Sequence, residues 1–169
     1  IGKVNSAYSA TVVLMTHKPQ IVINVGVAGG FDANQKIMDF VFSEQFMYTD
    51  VDCHGEGTEL GQISGEPKHF PASKSLLDIV KNNQEDFISK LKVRENYPDY
   101  NRDKVEFFYG TIGSADQFIW NDDQVNNIQT NFKEVICVEM EGASIAHVAY
   151  KFDIPILTIR ALSDLAGSD

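Results

Sequence analysis

The chain has 169 residues, of which 43% are apolar and 22% charged, proportions that fit one globular domain and exclude a disordered or repetitive sequence. Its formal net charge of −10 opposes binding to the phosphate backbone of DNA or RNA, so no nucleic-acid partner is expected. No apolar run approaches the roughly 20 residues that cross a bilayer as a helix, so no membrane partner is expected either.

The first half of the chain predicts a helix, two strands and a long loop. KVNSAYSATVVLMTH (3–17) is typical of a helix, and the apolar run IVINV (21–25) predicts a buried strand that ends at the glycines of GVAGG. A second strand is predicted in the first half of MDFVFSEQFMYTD (38–50). The glycines and prolines of residues 54–73 then predict a long surface loop, and such loops are usually functional or mobile.

The second half also alternates helices and strands. Helical periodicity covers SKSLLDIVKNNQEDFISKLK (73–92), and KVEFFYGTIG (104–113) is typical of a strand that ends in a glycine turn. NDDQVNNIQTNF (121–132) predicts a short helix, and IPILTIRALSD (154–164) predicts a last strand.

Between these two elements, residues 136–152 predict an amphipathic helix that has two acids at its start. The spacing of one buried helical face is found at Ile145, Val148, Ala149 and Phe152. Acids near a helix N-terminus interact favourably with the helix dipole, by about 0.3–1 kcal/mol each. Glu139 and Glu141 therefore have a structural explanation, and a binding role is the alternative to it.

Alternating strands and helices predict an α/β fold, a three-layer α/β/α arrangement with a largely parallel or mixed central sheet. Ligands of such folds bind beyond the carboxyl ends of the strands. That rule points to three segments, GVAGG (26–30), GTIGSADQFI (110–119) and RALSD (160–164). The glycine patterns of dinucleotide-binding and P-loop proteins are both missing from the sequence.

Four segments together resemble the nucleoside phosphorylase superfamily, and within it the nucleosidases that act on 5′-methylthioadenosine and S-adenosylhomocysteine. They are NVGVAGG (24–30), GTIGSADQFI (110–119), VEMEGASIAHVA (138–149) and RALSD (160–164). The resemblance implies hydrolysis of the N-glycosidic bond with release of adenine, no cofactor or metal, and a homodimer that binds a small nucleoside.

The resemblance also implies the catalytic residues. Asp164 would deliver a proton to N7 of the departing purine, Ser163 would orient Asp164, and Arg160 would lie beside the attacking nucleophile. Taken alone, the segment RALSD favours a cap of a following helix for Asp164 and a surface ion pair for Arg160.

A second group of residues is implied to bind the substrate. Glu141 would accept hydrogen bonds from the ribose hydroxyls, and Met140 would pack beneath the sugar. Phe118 would stack on the purine, while Ile119 would bind its edge through the backbone. Glu139 has either a supporting role behind the sugar or a purely structural one at the helix start.

Three positions depart from the family pattern. Phosphorylases of this superfamily hold phosphate with an arginine and a hydroxyl where this chain has Asn24 and Val27, so water is the expected nucleophile. Nucleosidases commonly keep a serine at the Val27 position, which also belongs to the implied binding site. Glu56 lies near the place where family members extend an aromatic residue into the partner's site.

Several alternatives remain at this stage. One is a phosphorylase of purine nucleosides or uridine, and another is a non-catalytic protein that binds nucleosides or serves as a storage or interaction protein.

Cys53 and Cys137 lack metal-ligand spacing and favour a reduced, cytoplasmic protein, although a single disulfide is possible. We expect one domain, 1–169, without the family's terminal segments, one of which supplies a glutamate that activates water.

Overall fold

The computed structural model describes residues 1–91 and 105–167. Its helices are α1 (Lys3–His17), α2 (Lys74–Asn82), α3 (Gln84–Lys90), α4 (Asp122–Asn131) and α5 (Gly142–Lys151), with a short 3-10 helix at His54–Glu56. Its strands are β1 (Val22–Gly30), β2 (Phe40–Tyr48), β3 (Phe70–Pro71), β4 (Phe107–Ser114), β5 (Val135–Glu139) and β6 (Ile156–Leu165).

The six strands form one mixed sheet in the order β3-β2-β4-β5-β1-β6. The pairs β1–β6, β2–β4 and β4–β5 are parallel, whereas β1–β5, β2–β3 and β2–β6 are antiparallel. The first residues of β2 pair with β6, which closes the sheet on itself. The mixed α/β architecture predicted from the sequence is therefore confirmed, and the closure is a feature that the sequence did not indicate.

Local sequence signals explain where the helices begin. The side chain of Ser73 accepts the N–H of Leu76 at the start of α2 (3.4 Å), and that of Asn121 accepts the N–H of Gln124 at the start of α4 (3.0 Å). Helix α1 lies against α5, where the hydroxyls of Ser6 and Ser144 are 2.6 Å apart.

The core lies between the sheet and α5 and extends to the β3 side. Its fully buried side chains include Phe46, Phe70, Ile112, Ala143 and Ala149. The predicted buried face of the helix at 136–152 is only partly correct. Ala149 is buried, but Phe152 is exposed, and the residues that α5 packs against the sheet are small. Small residues let the helix approach the strands closely, which positions its N-terminus at their carboxyl ends.

Several predicted bounds were wrong. The periodic segment 73–92 forms two helices interrupted at Asn83, and its last residue lies outside the described residues. The start of the predicted helix at 136–152 is instead strand β5. Strand β1 continues through the glycines that were expected to end it, and it is half exposed rather than buried, since Val25 is 69% exposed.

Both cysteines are free thiols, so no disulfide joins them. Within residues 1–91 and 105–167, none of the helices combines the length and the apolarity that crossing a membrane requires.

Candidate active site

A cavity of about 310 Å³ opens where β1, β5 and β6 end, beside the segment that joins β4 to α4. Ligand sites of α/β proteins are commonly found at such strand ends. Its lining is mostly apolar and carries three carboxylates. The lining residues are Ile1, Val27, Ala28, Gly29, Gln117, Phe118, Ile119, Val138, Glu139, Met140, Glu141, Ser163 and Asp164.

The most heavily bonded group at this cavity is the Glu139 carboxylate at the end of β5. It accepts the N–H of Gly142 on both oxygens (2.8 Å each) and the N–H of Glu141 (3.1 Å). It also accepts the hydroxyl proton of Ser114 and a hydrogen bond from Nη2 of Arg160 (2.5 Å). Glu139 therefore caps the start of α5 and compensates a buried cation at the same time.

Arg160 lies behind the cavity wall and not in its lining. Its side chain is only 3% exposed, and its second amino group, Nη1, is 3.5 Å from Oδ1 of Asn24. Nε of Arg160 has no hydrogen-bond partner in the described part of the chain. The close approach of β1 requires a glycine at position 26, because a Cβ there would meet Nη1 at 2.7 Å. Apart from Glu139, the arginine has no strong electrostatic partner among these contacts.

The acid proposed as the proton donor, Asp164, lies near the end of β6. Ser163 donates its hydroxyl proton to Oδ2 of Asp164 (2.7 Å). On the other side, Gly29 of β1 approaches so closely that a Cβ there would be 2.9 Å from Oδ1 of Asp164. The carboxylate is thus held from two sides while it still borders the cavity.

Glu141 occupies the N-cap position of α5 and borders the same cavity. Its Oε1 accepts the N–H of Gly2 (2.9 Å), which ties the start of α1 to the site. Lys3 strengthens this link, because its N–H donates to Oδ1 of Asp116 (2.7 Å) in the segment that leads to Phe118. The start of α1 therefore braces two parts of the cavity wall.

The apolar side of the cavity is formed by Phe118, Ile119 and Met140. Ile119 is buried in the core beside α4, whereas the ring of Phe118 is 69% exposed and free to meet a planar ligand. Val27, at 61% exposed, presents a purely apolar surface at the β1 side.

All of the predicted site residues except Arg160 therefore line one cavity. Sequence reasoning missed Ile1, Gly29, Gln117 and Ser114. The spacing of the GVAGG glycines was a usable signal for Gly29, whereas Ser114 contacts the site only through Glu139, which no pattern in the sequence indicates.

A second group of titratable residues lies away from the cavity, around His147 of α5. Nδ1 of His147 is 3.2 Å from the Tyr48 hydroxyl, and its Nε2 is 3.4 Å from Glu66, which also pairs with Lys151. Burial lowers the pKa of His147 below its ordinary value, although Glu66 opposes the shift. Within the described residues, three or more His, Cys, Asp or Glu side chains nowhere gather closely enough to hold a metal ion.

Comparison with known proteins agrees with the fold. The chain belongs to the phosphorylase superfamily, whose family model matches residues 1–169. Among individual proteins, it is 38% identical to a 5′-methylthioadenosine/S-adenosylhomocysteine nucleosidase of Desulfotalea psychrophila, over 97% of this chain and 63% of the relative. It is 36% identical to the nucleosidase of Bacillus subtilis with the same name, over 100% of this chain and 67% of the relative.

Solved structures of such nucleosidases share the fold closely. The enzyme of Colwellia psychrerythraea in complex with adenine superimposes with a TM-score of 0.86 and 32% identity, over 99% of this chain and 63% of that one. The Neisseria meningitidis enzyme with methylthio-immucillin-A gives a TM-score of 0.85 and 30% identity, over 97% and 64% of the two chains. The chain thus spans about two-thirds of the length of the relatives that it matches.

Proposed function

We propose that the protein hydrolyses the N-glycosidic bond of 5′-methylthioadenosine and S-adenosylhomocysteine and releases adenine. The observation that carries the proposal is one cavity in which Asp164, Glu141 and Phe118 meet. An acid, a diol-binding carboxylate and an aromatic face are what cleavage of a purine nucleoside needs. The names of the relatives, which are nucleosidases of these two substrates, support the same activity.

The chemistry follows from the charges that develop as the bond breaks. The departing purine becomes negative and the sugar becomes an oxocarbenium-like cation, so the enzyme must protonate the base and hold the sugar near a carboxylate. In the proposed mechanism Asp164 gives its proton to N7 of the purine, and Ser163 fixes the orientation of Asp164.

The remaining contacts position the substrate. Glu141 accepts hydrogen bonds from the two ribose hydroxyls, and charge-assisted bonds of this kind are about twice as strong as neutral ones. Met140 packs beneath the sugar, Phe118 stacks on the purine, and the backbone of Ile119 binds its edge. Val27 provides an apolar wall for the same substrate.

Water, not phosphate, is the proposed nucleophile. The cation that could attract phosphate, Arg160, is already paired with the Glu139 carboxylate at 2.5 Å. Its other near neighbour is the neutral amide of Asn24, and Val27 brings no hydroxyl to the cavity. A phosphate dianion would therefore meet little uncompensated positive charge, which argues against a phosphorylase.

The experiment uses the full-length protein and 5′-methylthioadenosine, with and without inorganic phosphate. Adenine and free 5-methylthioribose should appear at the same rate in both. A ribose 1-phosphate product whose rate rises with phosphate would instead establish a phosphorylase. Tight binding without turnover would establish a nucleoside-binding protein that has no catalytic role.

A homodimer is also part of the proposal. Two-fold dimers are the commonest assemblies of soluble proteins, and the glycine-rich segment of residues 54–70 is where family members are expected to reach the partner's site. Sedimentation of the full-length protein should give twice the monomer mass, and a fully active monomer would refute this part.

A further inference from the structure

Ser114, the last residue of β4, is fully buried and does not line the cavity. We propose that Ser114 is a positioning residue, which holds Glu139 and the first turn of α5 in place and acts through them on Glu141 and Arg160. The proposal rests on the nucleosidase activity proposed above and adds a residue that the expected catalytic set does not contain.

The hydroxyl of Ser114 makes two hydrogen bonds whose directions are fixed by chemistry. It accepts the N–H of Ala143 in the first turn of α5 (2.7 Å), so its single proton is left for Oε1 of Glu139. The N–H of Ala143 can only donate and the Glu139 carboxylate can only accept, and the Ser114 hydroxyl satisfies both because it accepts and donates at the same time. The hydroxyl therefore joins the helix start and the carboxylate into one unit.

The position of Glu139 affects both sides of the proposed reaction. Its carboxylate accepts the N–H of Glu141, the proposed ribose ligand, and pairs with Arg160, the cation proposed to lie beside the nucleophile. A carboxylate that rotates would thus move two functional groups at once. Ser114 opposes that rotation from a rigid element, because β4 pairs with β5 in the register Ser114–Glu139.

A purely structural serine would have a different signature. Losing a buried hydroxyl that caps a helix lowers the melting temperature but leaves kcat and KM of the folded molecules unchanged. A positioning residue also changes the kinetics, because displacements of about 1 Å can reduce a rate on the order of 10²-fold.

The chain offers a matched control in Ser43, which is also fully buried in the sheet. Its hydroxyl accepts the N–H of Thr158 (2.9 Å) and so satisfies a backbone donor instead of a carboxylate. Both Ser43→Ala and Ser114→Ala remove a buried hydroxyl and leave one backbone N–H unpaired. Ser114→Ala also removes the bond to the Glu139 carboxylate, so its thermal stability should fall further, and the comparison of kcat and KM isolates the effect of that bond on the site.

The test compares kcat, KM and the melting temperature of the full-length parent, Ser114→Ala, Ser114→Thr and Ser43→Ala, with 5′-methylthioadenosine as substrate. We expect Ser114→Ala to lose about 10- to 100-fold in kcat/KM, Ser114→Thr to recover most of it because the hydroxyl is retained, and Ser43→Ala to keep the parental values. If Ser114→Ala does not fold, Ser114→Cys keeps the shape but bonds weakly and takes its place.

Each outcome separates this inference from the proposed function. Parental kcat and KM in Ser114→Ala, whatever its melting temperature, overturn the positioning role and leave the nucleosidase activity intact. A parent that binds the nucleoside without cleaving it overturns the nucleosidase activity, and the affinity measured by calorimetry then tests the positioning role of Ser114. Weaker binding by Ser114→Ala than by Ser43→Ala supports that role, and equal binding overturns it. A parent that neither cleaves nor binds the nucleoside overturns both.

Discussion

Replacing Glu139 by glutamine should destabilise the protein strongly, although the two side chains have the same size. Every group that contacts the Glu139 carboxylate is a donor: the Ser114 hydroxyl, the N–H groups of Glu141 and Gly142, and Nη2 of Arg160. A glutamine must direct its NH2 group at some of these donors. It also leaves Arg160 without a counter-charge among the described residues, where the other contact of its guanidinium is the 3.5 Å one with the neutral amide of Asn24.

The size of the effect follows from the burial of the pair. Removing one partner of a buried ion pair costs about 3–5 kcal/mol, because the other charge remains in a medium that solvates it poorly. For a protein of roughly 150–250 residues, each kcal/mol lowers the melting temperature by about 2–4 °C, so the expected fall is about 6–20 °C.

Thermal unfolding of the full-length protein followed by circular dichroism measures this fall. The matched control is Glu44→Gln, which removes an exposed pair with Lys81 (2.8 Å), and exposed pairs contribute about 0–1 kcal/mol. A melting temperature of Glu139→Gln no lower than that of Glu44→Gln would refute the view that Glu139 compensates a buried cation.

Three further predictions follow from individual contacts. Gly29→Ala should push the Asp164 carboxylate aside and lower kcat about tenfold or more, whereas Gly55→Ala, whose added Cβ meets no atom within 4 Å, should leave kcat unchanged. Glu141→Gln should raise KM and lower kcat together, because the ribose contact exists in the ground state and strengthens as the sugar becomes cationic; an unchanged KM would argue against that contact. The pKa of His147 is lower in the folded protein than in the unfolded chain, so as the pH falls below about 6.5 the unfolded chain binds a proton more readily and the protein loses stability. The melting temperature of His147→Gln should therefore depend less on pH between about 5.5 and 7.5 than that of the parent. An equal dependence would contradict the lowered pKa of His147.

The sequence predicted those elements whose signals are local. Helix α1 has the predicted bounds, and β6 begins and ends within two residues of the prediction. The GVAGG segment was misjudged because glycine has two uses, and the sequence does not distinguish them. Turn glycines often have positive φ, but Gly26, Gly29 and Gly30 do not; they let β1 pass close to the side chains of β6 and of the segment that follows β1.

Long-range contacts were the other limit. Strand β5 is short and runs directly into α5, so its apolar residues resembled part of the helix. The sequence implied that Glu139 and Arg160 belong to one site, but it could not show that they neutralise each other, because that contact joins residues on two strands that do not pair directly. Ser114 was missed for a different reason: it lies beside Glu139 on the neighbouring strand, and the register of that strand pair cannot be read from the sequence.

The most direct test of the proposed mechanism is the kcat of Asp164→Asn in the full-length protein, with Asp153→Asn at the far end of α5 as control. Asparagine keeps the size and most of the hydrogen bonds of Asp164 but has no proton to give to the leaving base. General acid catalysis is typically worth about 10²–10⁴-fold, so kcat for 5′-methylthioadenosine should fall by that factor while KM changes little. Turnover by Asp164→Asn within about threefold of the parent, well short of a general acid's contribution, would show that Asp164 is not the acid and would contradict the account of the site built around it.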